Sequence, residues 1–223
     1  MTVVYTLSNQ SNWQNNELRY SIRSFVKYFP ALSRIVVVGY LPDWLQNVEY
    51  TPFEDGPRKQ LNIHLKTLAA CEVCDEFIQA ADDHFLLAPQ TFSTYYYSGL
   101  LREKKYENKY AIPLENTLQI YPLGKFFNLH LPMKINSEEY AIIMAFHNWK
   151  AKDFLIKSVY ANNLQNIPMG CINDVKVSHF MRRDAIDKFV ADKGFLSVSD
   201  AGLSVDMKRF LEKKFPDKSI YER

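Results

Sequence analysis

Asp75-Glu76-Phe77-Ile78-Gln79-Ala80-Ala81-Asp82-Asp83-His84-Phe85-Leu86-Leu87-Ala88-Pro89 is the stretch that decides how the chain folds. Phe77 and Ile78 open a short apolar run with the character of a strand entering a core. Phe85, Leu86 and Leu87 resume it after two adjacent carboxylates, Asp82 and Asp83. An unpaired charge is costly to bury, so the acidic pair is expected where the strand leaves its sheet. Open α/β sheets bind ligands at the carboxyl ends of their strands. Hard cations such as Mg²⁺ and Mn²⁺ take carboxylate oxygens while bridging to substrate phosphates. An acidic pair there, with His84 beside it, suits a metal–diphosphate complex. A turn capped by the Asp side chains is the alternative that this stretch leaves open.

The residues upstream predict the sheet that such a strand would join. Thr2 to Leu7 has the β-branched and aromatic content of a buried first strand, and a polar loop, Ser8 to Asn15, follows. Asn15 or Asn16 is expected to cap a helix with Leu18, Ile22, Phe25 and Val26 on one face. Arg19 and Arg23, four apart, share another side of that helix. Ile35 to Val38 reads as a second strand parallel to the first, Val48 to Thr51 as a third, and Gln60 to Cys71 as a helix through Leu61, Leu65 and Leu68. Downstream the pattern is less regular. Strands are expected at Lys109–Pro113, Val175–Met181 and Phe195–Val198, and helices at Ala151–Tyr160, Arg183–Lys193 and Val205–Phe215. Asn136 with Glu139 three residues on predicts a capping box opening a helix that ends near Phe146.

Composition narrows the function classes. The 223 residues suit one domain with a sizeable core. With only 7 glycines, and neither G-x-G-x-x-G nor a Walker sequence, phosphate binding falls to cations or a metal. A net charge of +2 is too small to imply nucleic-acid binding. The run Arg102-Glu103-Lys104-Lys105-Tyr106-Glu107-Asn108-Lys109-Tyr110 interleaves basic and aromatic side chains as single-strand binders do, so a nucleic-acid partner stands as the weaker alternative. Cys71, Cys74 and Cys171 make no disulfide framework, and the single C-x-x-C has no second pair to complete a zinc site. The N-terminus lacks the features of a signal peptide and no apolar run has transmembrane length, so a cytoplasmic protein is expected.

Four blocks of the chain together resemble the Stealth-type sugar-phosphate transferases, which are similar to nucleotide-sugar glycosyltransferases of GT-A-like fold. Val3-Val4-Tyr5-Thr6 is similar to the family's opening strand. Asn16-Glu17-Leu18-Arg19-Tyr20-Ser21, the Ile35–Val38 strand, Pro42-Asp43-Trp44-Leu45 and Asp82-Asp83-His84-Phe85 form the most specific block. His130-Leu131-Pro132 resembles a His-x-Pro that precedes a helix in the family. Phe195–Asp200, with Phe215-Pro216-Asp217-Lys218-Ser219, resembles its closing strand and Phe-Pro-x-x-Ser motif.

The resemblance implies an α/β fold, a single GT-A-like domain with a mixed, mostly parallel sheet flanked by helices. Residues 1–90 would form the nucleotide-sugar half and 91–223 the acceptor half. It implies an enzyme that moves a sugar from a nucleotide-sugar donor to a hydroxyl of a glycan or other acceptor; transfer of a hexose 1-phosphate in polysaccharide synthesis is the alternative. Asp82 and Asp83 would hold Mn²⁺ or Mg²⁺ on the donor diphosphate. His84 completes an Asp-x-His spacing; on a strand, Asp82 and His84 would share one side. Tyr5 and Thr6 would lie on the donor side. Arg19 and Arg23 are candidate phosphate clamps because a guanidinium fork matches phosphate oxygens, although pairing with an acid on the helix surface competes with that role. Lys66 would reach the diphosphate unless it is an ordinary surface lysine. His130 would serve as general base on the acceptor. His179 would touch phosphate or metal. Asp200 would stand in the active site or cap the following segment.

Overall fold

The computed structural model describes residues 1–9, 11–107 and 109–223. Gln10 of the predicted Ser8–Asn15 loop and Asn108 of the basic-aromatic run lie outside the described residues. Strand β1 (Thr2–Leu7) leads to helix α1 (Asn16–Tyr28), then β2 (Arg34–Gly39), β3 (Glu49–Pro52), α2 (Lys59–Cys71) and β4 (Glu76–Ala80). A turn carries Asp82 and Asp83 into β5 (His84–Leu86), followed by β6 (Tyr95–Tyr97) and α3 (Ala111–Ile120). Then come β7 (Met133–Asn136), α4 (Ser137–Ala145), α5 (Ile156–Asn163), β8 (Met169–Cys171) and β9 (Lys176–Val177). The chain closes with α6 (Arg183–Val190), β10 (Phe195–Val198) and α7 (Val205–Lys214).

The main sheet has the order β3-β2-β1-β4-β7. Its first four strands are parallel, and β7 lies antiparallel to β4 along the edge. Strand alternation sorts β1 between two layers. Val3, Tyr5 and Leu7 pack with Leu18, Ile22 and Phe25 of α1, while Val4 faces a second core with Ala70 of α2, Tyr140 of α4 and Tyr160 of α5. Burying each such side chain is worth about 1.5–3 kcal/mol relative to leaving it exposed, so these two apolar layers are what hold β1 at the centre. A smaller sheet, β5-β10-β9, is built where β5 leaves the acid turn: β10 is antiparallel to β5 and parallel to β9. Ser197 there lies opposite both His84 and Lys176. The strand register thus brings residues 176 and 197 beside the Asp82–Asp83 turn. This is a mixed α/β sheet, mostly parallel and flanked by helices, as the sequence predicts.

Several local expectations are corrected. Lys109–Pro113 is not a strand; it leads into α3, because a proline in the first turn of a helix removes only an amide that has no helical acceptor. Helix α5 starts at Ile156 and not at Ala151, and the strand expected over Val175–Met181 shrinks to Lys176–Val177. Strands β6, β7 and β8 escaped the sequence reading. Asn15 precedes α1 in a left-handed conformation, and its side chain caps no amide. Val26 is exposed, and α2 buries Gln60, His64 and Thr67 rather than Leu65. In contrast, Asn136 does cap α4, accepting from the Glu139 amide at 3.0 Å. The cysteines are free thiols.

Candidate active site

The acid turn sits at the carboxyl end of β4, next to β1, and its geometry begins with one hydrogen bond. The His84 amide donates to Ala81 O at 3.1 Å, closing a turn that carries Asp82 and Asp83 out of the sheet. Strand alternation therefore does not apply, and Asp82 and His84 are not paired on one side of a strand. Instead the buried His84 ring accepts the Ala81 amide at Nδ1, 3.2 Å away. That bond leaves the proton of the neutral ring on Nε2, which faces Asp83 Oδ1 at 3.8 Å. Burial pushes His84 down to about 3, with Lys157 adding to the effect. In this arrangement the Nδ1 lone pair of His84 is already used by a backbone amide, so the ring meets the acid turn through Nε2 alone.

Asp83 is held from the opposite strand. Ser197 Oγ donates to Asp83 Oδ2 at 2.9 Å and Lys176 Nζ approaches the same oxygen at 3.5 Å. Burial works to raise its pKa, but His84, Lys176, the Ser197 bond and His130 outweigh it and keep the carboxyl ionised. Asp82 has the reverse balance: burial, then the charges of Asp83 and Glu17, push it up. The pair is thus poorly compensated on the Asp82 side.

A dyad lies within electrostatic reach of Asp83. His130 Nδ1 lies 2.7 Å from Asp174 Oδ2, and the His130 amide donates to Asp174 Oδ1 at 3.2 Å. Burial opposes ionisation of Asp174, but its bond and ion pair with His130 lower its pKa, helped by the amides of His130 and Val175. Lys157, on α5, anchors the backbone on both sides of the imidazole by donating to Leu129 O at 3.0 Å and Leu131 O at 2.5 Å. Burial brings Lys157 down to about 8 although Asp174 and Asp83 oppose the fall.

Other sequence-predicted residues fall elsewhere. Arg19 and Arg23 are taken by Glu222: Arg23 donates to both its oxygens at 2.8 and 2.7 Å, and Arg19 approaches at 3.3 Å while stacking over Trp44 at 3.9 Å. Both guanidiniums are thus paired with an acid, the alternative that the sequence leaves open. Tyr5 is wholly buried, its hydroxyl 2.9 Å from Ser21 Oγ, so its side chain is no donor contact. Thr6 is partly exposed near the end of β1. Lys66 is not a surface lysine: it is 2% exposed and bonds Leu7 O and Asp55. His179 and Asp200 are exposed, and neither side chain has a hydrogen bond or ion pair among the described residues. Ser199, not Asp200, caps the turn after β10, and Ser204 caps α7. Asp174, Lys157, Lys176 and Ser197 went unassigned in the sequence. A lone lysine between Leu155, Ile156, Ser158 and Val159, all buried, was the available signal for Lys157.

At the same edge of the sheet, the carboxyl ends of β2 and β3 border an open cleft of about 540 Å³, lined by Gly39, Tyr40, Tyr50, Phe53 and Asp55. Its floor requires Gly39: φ is 115°, and a Cβ there would come within 2.2 Å of Leu7 O and 3.0 Å of Lys66 Nζ.

Among the described residues no three His, Cys, Asp or Glu side chains converge as a metal cage. Two adjacent carboxylates, one of them undercompensated, instead fit a cation that completes its shell with water and substrate phosphate.

No protein-family model matches the chain, and no curated protein sequence matches it. Among solved structures, it aligns with the galactosyltransferase LgtC in complex with donor and acceptor sugar analogues. The TM-score is 0.52 and the identity 10%, covering 99% of this chain and 98% of that one. The glycosyltransferase GlyE of Streptococcus pneumoniae TIGR4 aligns with a TM-score of 0.40 and 7% identity, over 77% of this chain and 45% of its own. A glycosyltransferase involved in glycosylation of the major capsid of PBCV-1 aligns at 0.39 and 12% identity, over 96% and 97%. The likeness to LgtC establishes the fold as GT-A-like. No helix among the described residues is long and apolar enough to cross a membrane.

Proposed function

We propose that this GT-A-like protein is a glycosyltransferase that moves a sugar from a nucleotide-sugar donor to an acceptor hydroxyl. The observation that carries the reading is the His130–Asp174 dyad, near enough to the Asp82–Asp83 turn for His130 to act on the Asp83 charge, on a sheet whose carboxyl edge also carries an aromatic cleft. The rings of Tyr40, Tyr50 and Phe53 offer apolar faces for a nucleoside. From there the donor diphosphate would run toward the acid turn. Asp82 and Asp83 would hold Mn²⁺ or Mg²⁺, which when bound neutralises charge on the leaving diphosphate. Lys157 and Lys176 add fixed positive charge next to Asp83.

The acceptor side rests on His130. Asp174 takes Nδ1, so Nε2 is the atom available to receive a proton from an acceptor hydroxyl as the new glycosidic bond forms. Asp174 would then stabilise the imidazolium and keep the ring oriented, while Lys157 holds the backbone of the dyad. The residue types also suit transfer of a sugar phosphate, the alternative implied by the Stealth-type blocks.

A donor panel with Mn²⁺ tests both. The expected result is that one nucleotide sugar raises Tm with Mn²⁺ and not with EDTA, and is turned over in the presence of an acceptor. Release of the nucleoside diphosphate identifies sugar transfer, and release of the monophosphate identifies sugar-phosphate transfer. A panel in which no nucleotide sugar binds contradicts the reading.

A further inference from the structure

The opening of α1 holds two buried oxygens that lack donors. Glu17 is 6% exposed, and its Oε2 has no hydrogen-bond partner among the described residues; Asn15, 5% exposed, leaves its Oδ1 in the same state. Buried polar atoms nearly always have a partner, and each exception calls for an explanation such as a group that arrives from outside.

What α1 touches places its first turn. One turn along the helix, Ser21 Oγ donates to His84 O at 2.6 Å, and further on Ser24 Oγ accepts the Leu86 amide at 3.0 Å. The helix therefore runs along β5, with its first turn beside Asp82 and Asp83. Glu17 is close enough for its charge to act on Asp82.

The chemistry of the missing partner follows from the donor set. An anion is repelled by three carboxylates. A cation shared by Glu17 and the acid pair needs three carboxylates converging on one point, an arrangement absent among the described residues. Separate acceptor oxygens, each short of one hydrogen, suit a neutral ligand that carries several hydroxyls at intervals of a few ångströms.

We propose that Glu17, with Asn15 beside it, accepts hydrogen bonds from hydroxyls of the transferred sugar, in a subsite between the opening of α1 and the acid turn. This rests on the donor reading above and assigns the part of the donor that α1 holds. Glu17 is then a specificity residue, separate from the groups that bind nucleotide and diphosphate.

Calorimetry tests it on the full chain with Mn²⁺. The probes are UDP-glucose, UDP-galactose, UDP-N-acetylglucosamine and GDP-mannose, each compared with UDP or GDP alone. For the sugar nucleotide that the wild type binds best, Glu17→Ala should weaken binding about 10-fold or more while the bare diphosphate binds within about 2-fold of wild type. Glu17→Gln, which keeps the shape and one acceptor, should shift the same ratio less, and serves where Glu17→Ala does not fold. An unchanged ratio in both variants overturns the subsite and leaves the donor reading standing. Equal loss for sugar nucleotide and bare diphosphate, dependent on Mn²⁺, makes Glu17 a cation contact and overturns it too. A wild type that binds none of the probes overturns both.

Discussion

Two carboxylates that meet helix α1 are treated in opposite ways. Glu222, from the end of the chain, has a fully buried side chain in which every oxygen is bonded: Arg23 takes both, Arg19 adds a contact, and the Ser219 amide and hydroxyl donate at 3.0 and 3.1 Å. Glu17, half a turn from Arg19, is as well buried yet leaves Oε2 without a donor. The first cluster is closed and holds the chain terminus against α1. The second is open: Glu17 Oε2 has no donor among the described residues, and burial with the charges of Asp83 and Glu17 pushes Asp82 up. Charge that is compensated internally supports the fold; the orphaned oxygen of Glu17 and the raised pKa of Asp82 are where the proposed reading puts a ligand.

The largest effect that would sharpen this contrast is on rate. His130→Gln should lower turnover about 10²–10⁴-fold, the usual worth of a general base, with donor affinity and Tm nearly unchanged. Stopped-time assays beside calorimetry check it. Parallel loss of donor affinity would move His130 from the acceptor to the donor.

The closed cluster should break through stability instead. Glu222→Ala leaves two partly buried guanidiniums without their partner and should cost about 3–5 kcal/mol. For a chain of this size that corresponds to a fall in Tm of roughly 6–20 °C. A Tm within about 2 °C of wild type would show that the Glu222 cluster does not hold the fold. The orphan carboxylate predicts the contrary sign: removing Glu17 should leave Tm unchanged or raise it, because an unsatisfied buried acceptor goes with it.

Smaller effects appear with pH. Lys157 loses its charge as pH rises through about 8, since burial has lowered it from the usual lysine range. The wild-type rate should decline above that pH, and Lys157→Met should run slower but without that limb. Glu222 has the opposite sense. Its bonds to Arg23 lower its pKa against the effect of burial, so the unfolded chain binds the proton more readily. Its stabilisation is complete above the ordinary glutamate pKa, about 4.3, and is lost as pH falls through the lower folded value. Denaturant melts between pH 3 and 6 should show a shallower acid loss in Glu222→Gln.

The sequence made the first half of the fold legible because its signals are local. Apolar runs of β1, β2 and β4 and the spacing of Leu18, Ile22 and Phe25 each state a period within a few residues. Asp82 and Asp83 stood out because two carboxylates interrupt such a run. The acid that pairs with Arg19 and Arg23 was hidden for the opposite reason: it lies about 200 residues away, at separations of 203 and 199. Lys157 and Asp174 are linked to the site only through the fold of the second half, where α3 and β7 were also missed. The Asp-x-His spacing told little about which side chains share a side, because the acid pair sits in a turn, where strand alternation carries no information.

The central claim is that the acid turn binds the donor through a divalent cation. Its most direct test is isothermal titration of the nucleotide sugar found in the donor panel into wild type and Asp83→Ala, with Mn²⁺ and with EDTA. The side chain of Asp83 is partly in contact with solvent, so the variant should melt within a few degrees of wild type. The account predicts wild-type binding that strengthens with Mn²⁺, and variant binding that is weak and the same in both conditions. Mn²⁺-strengthened affinity retained in full by Asp83→Ala would contradict it.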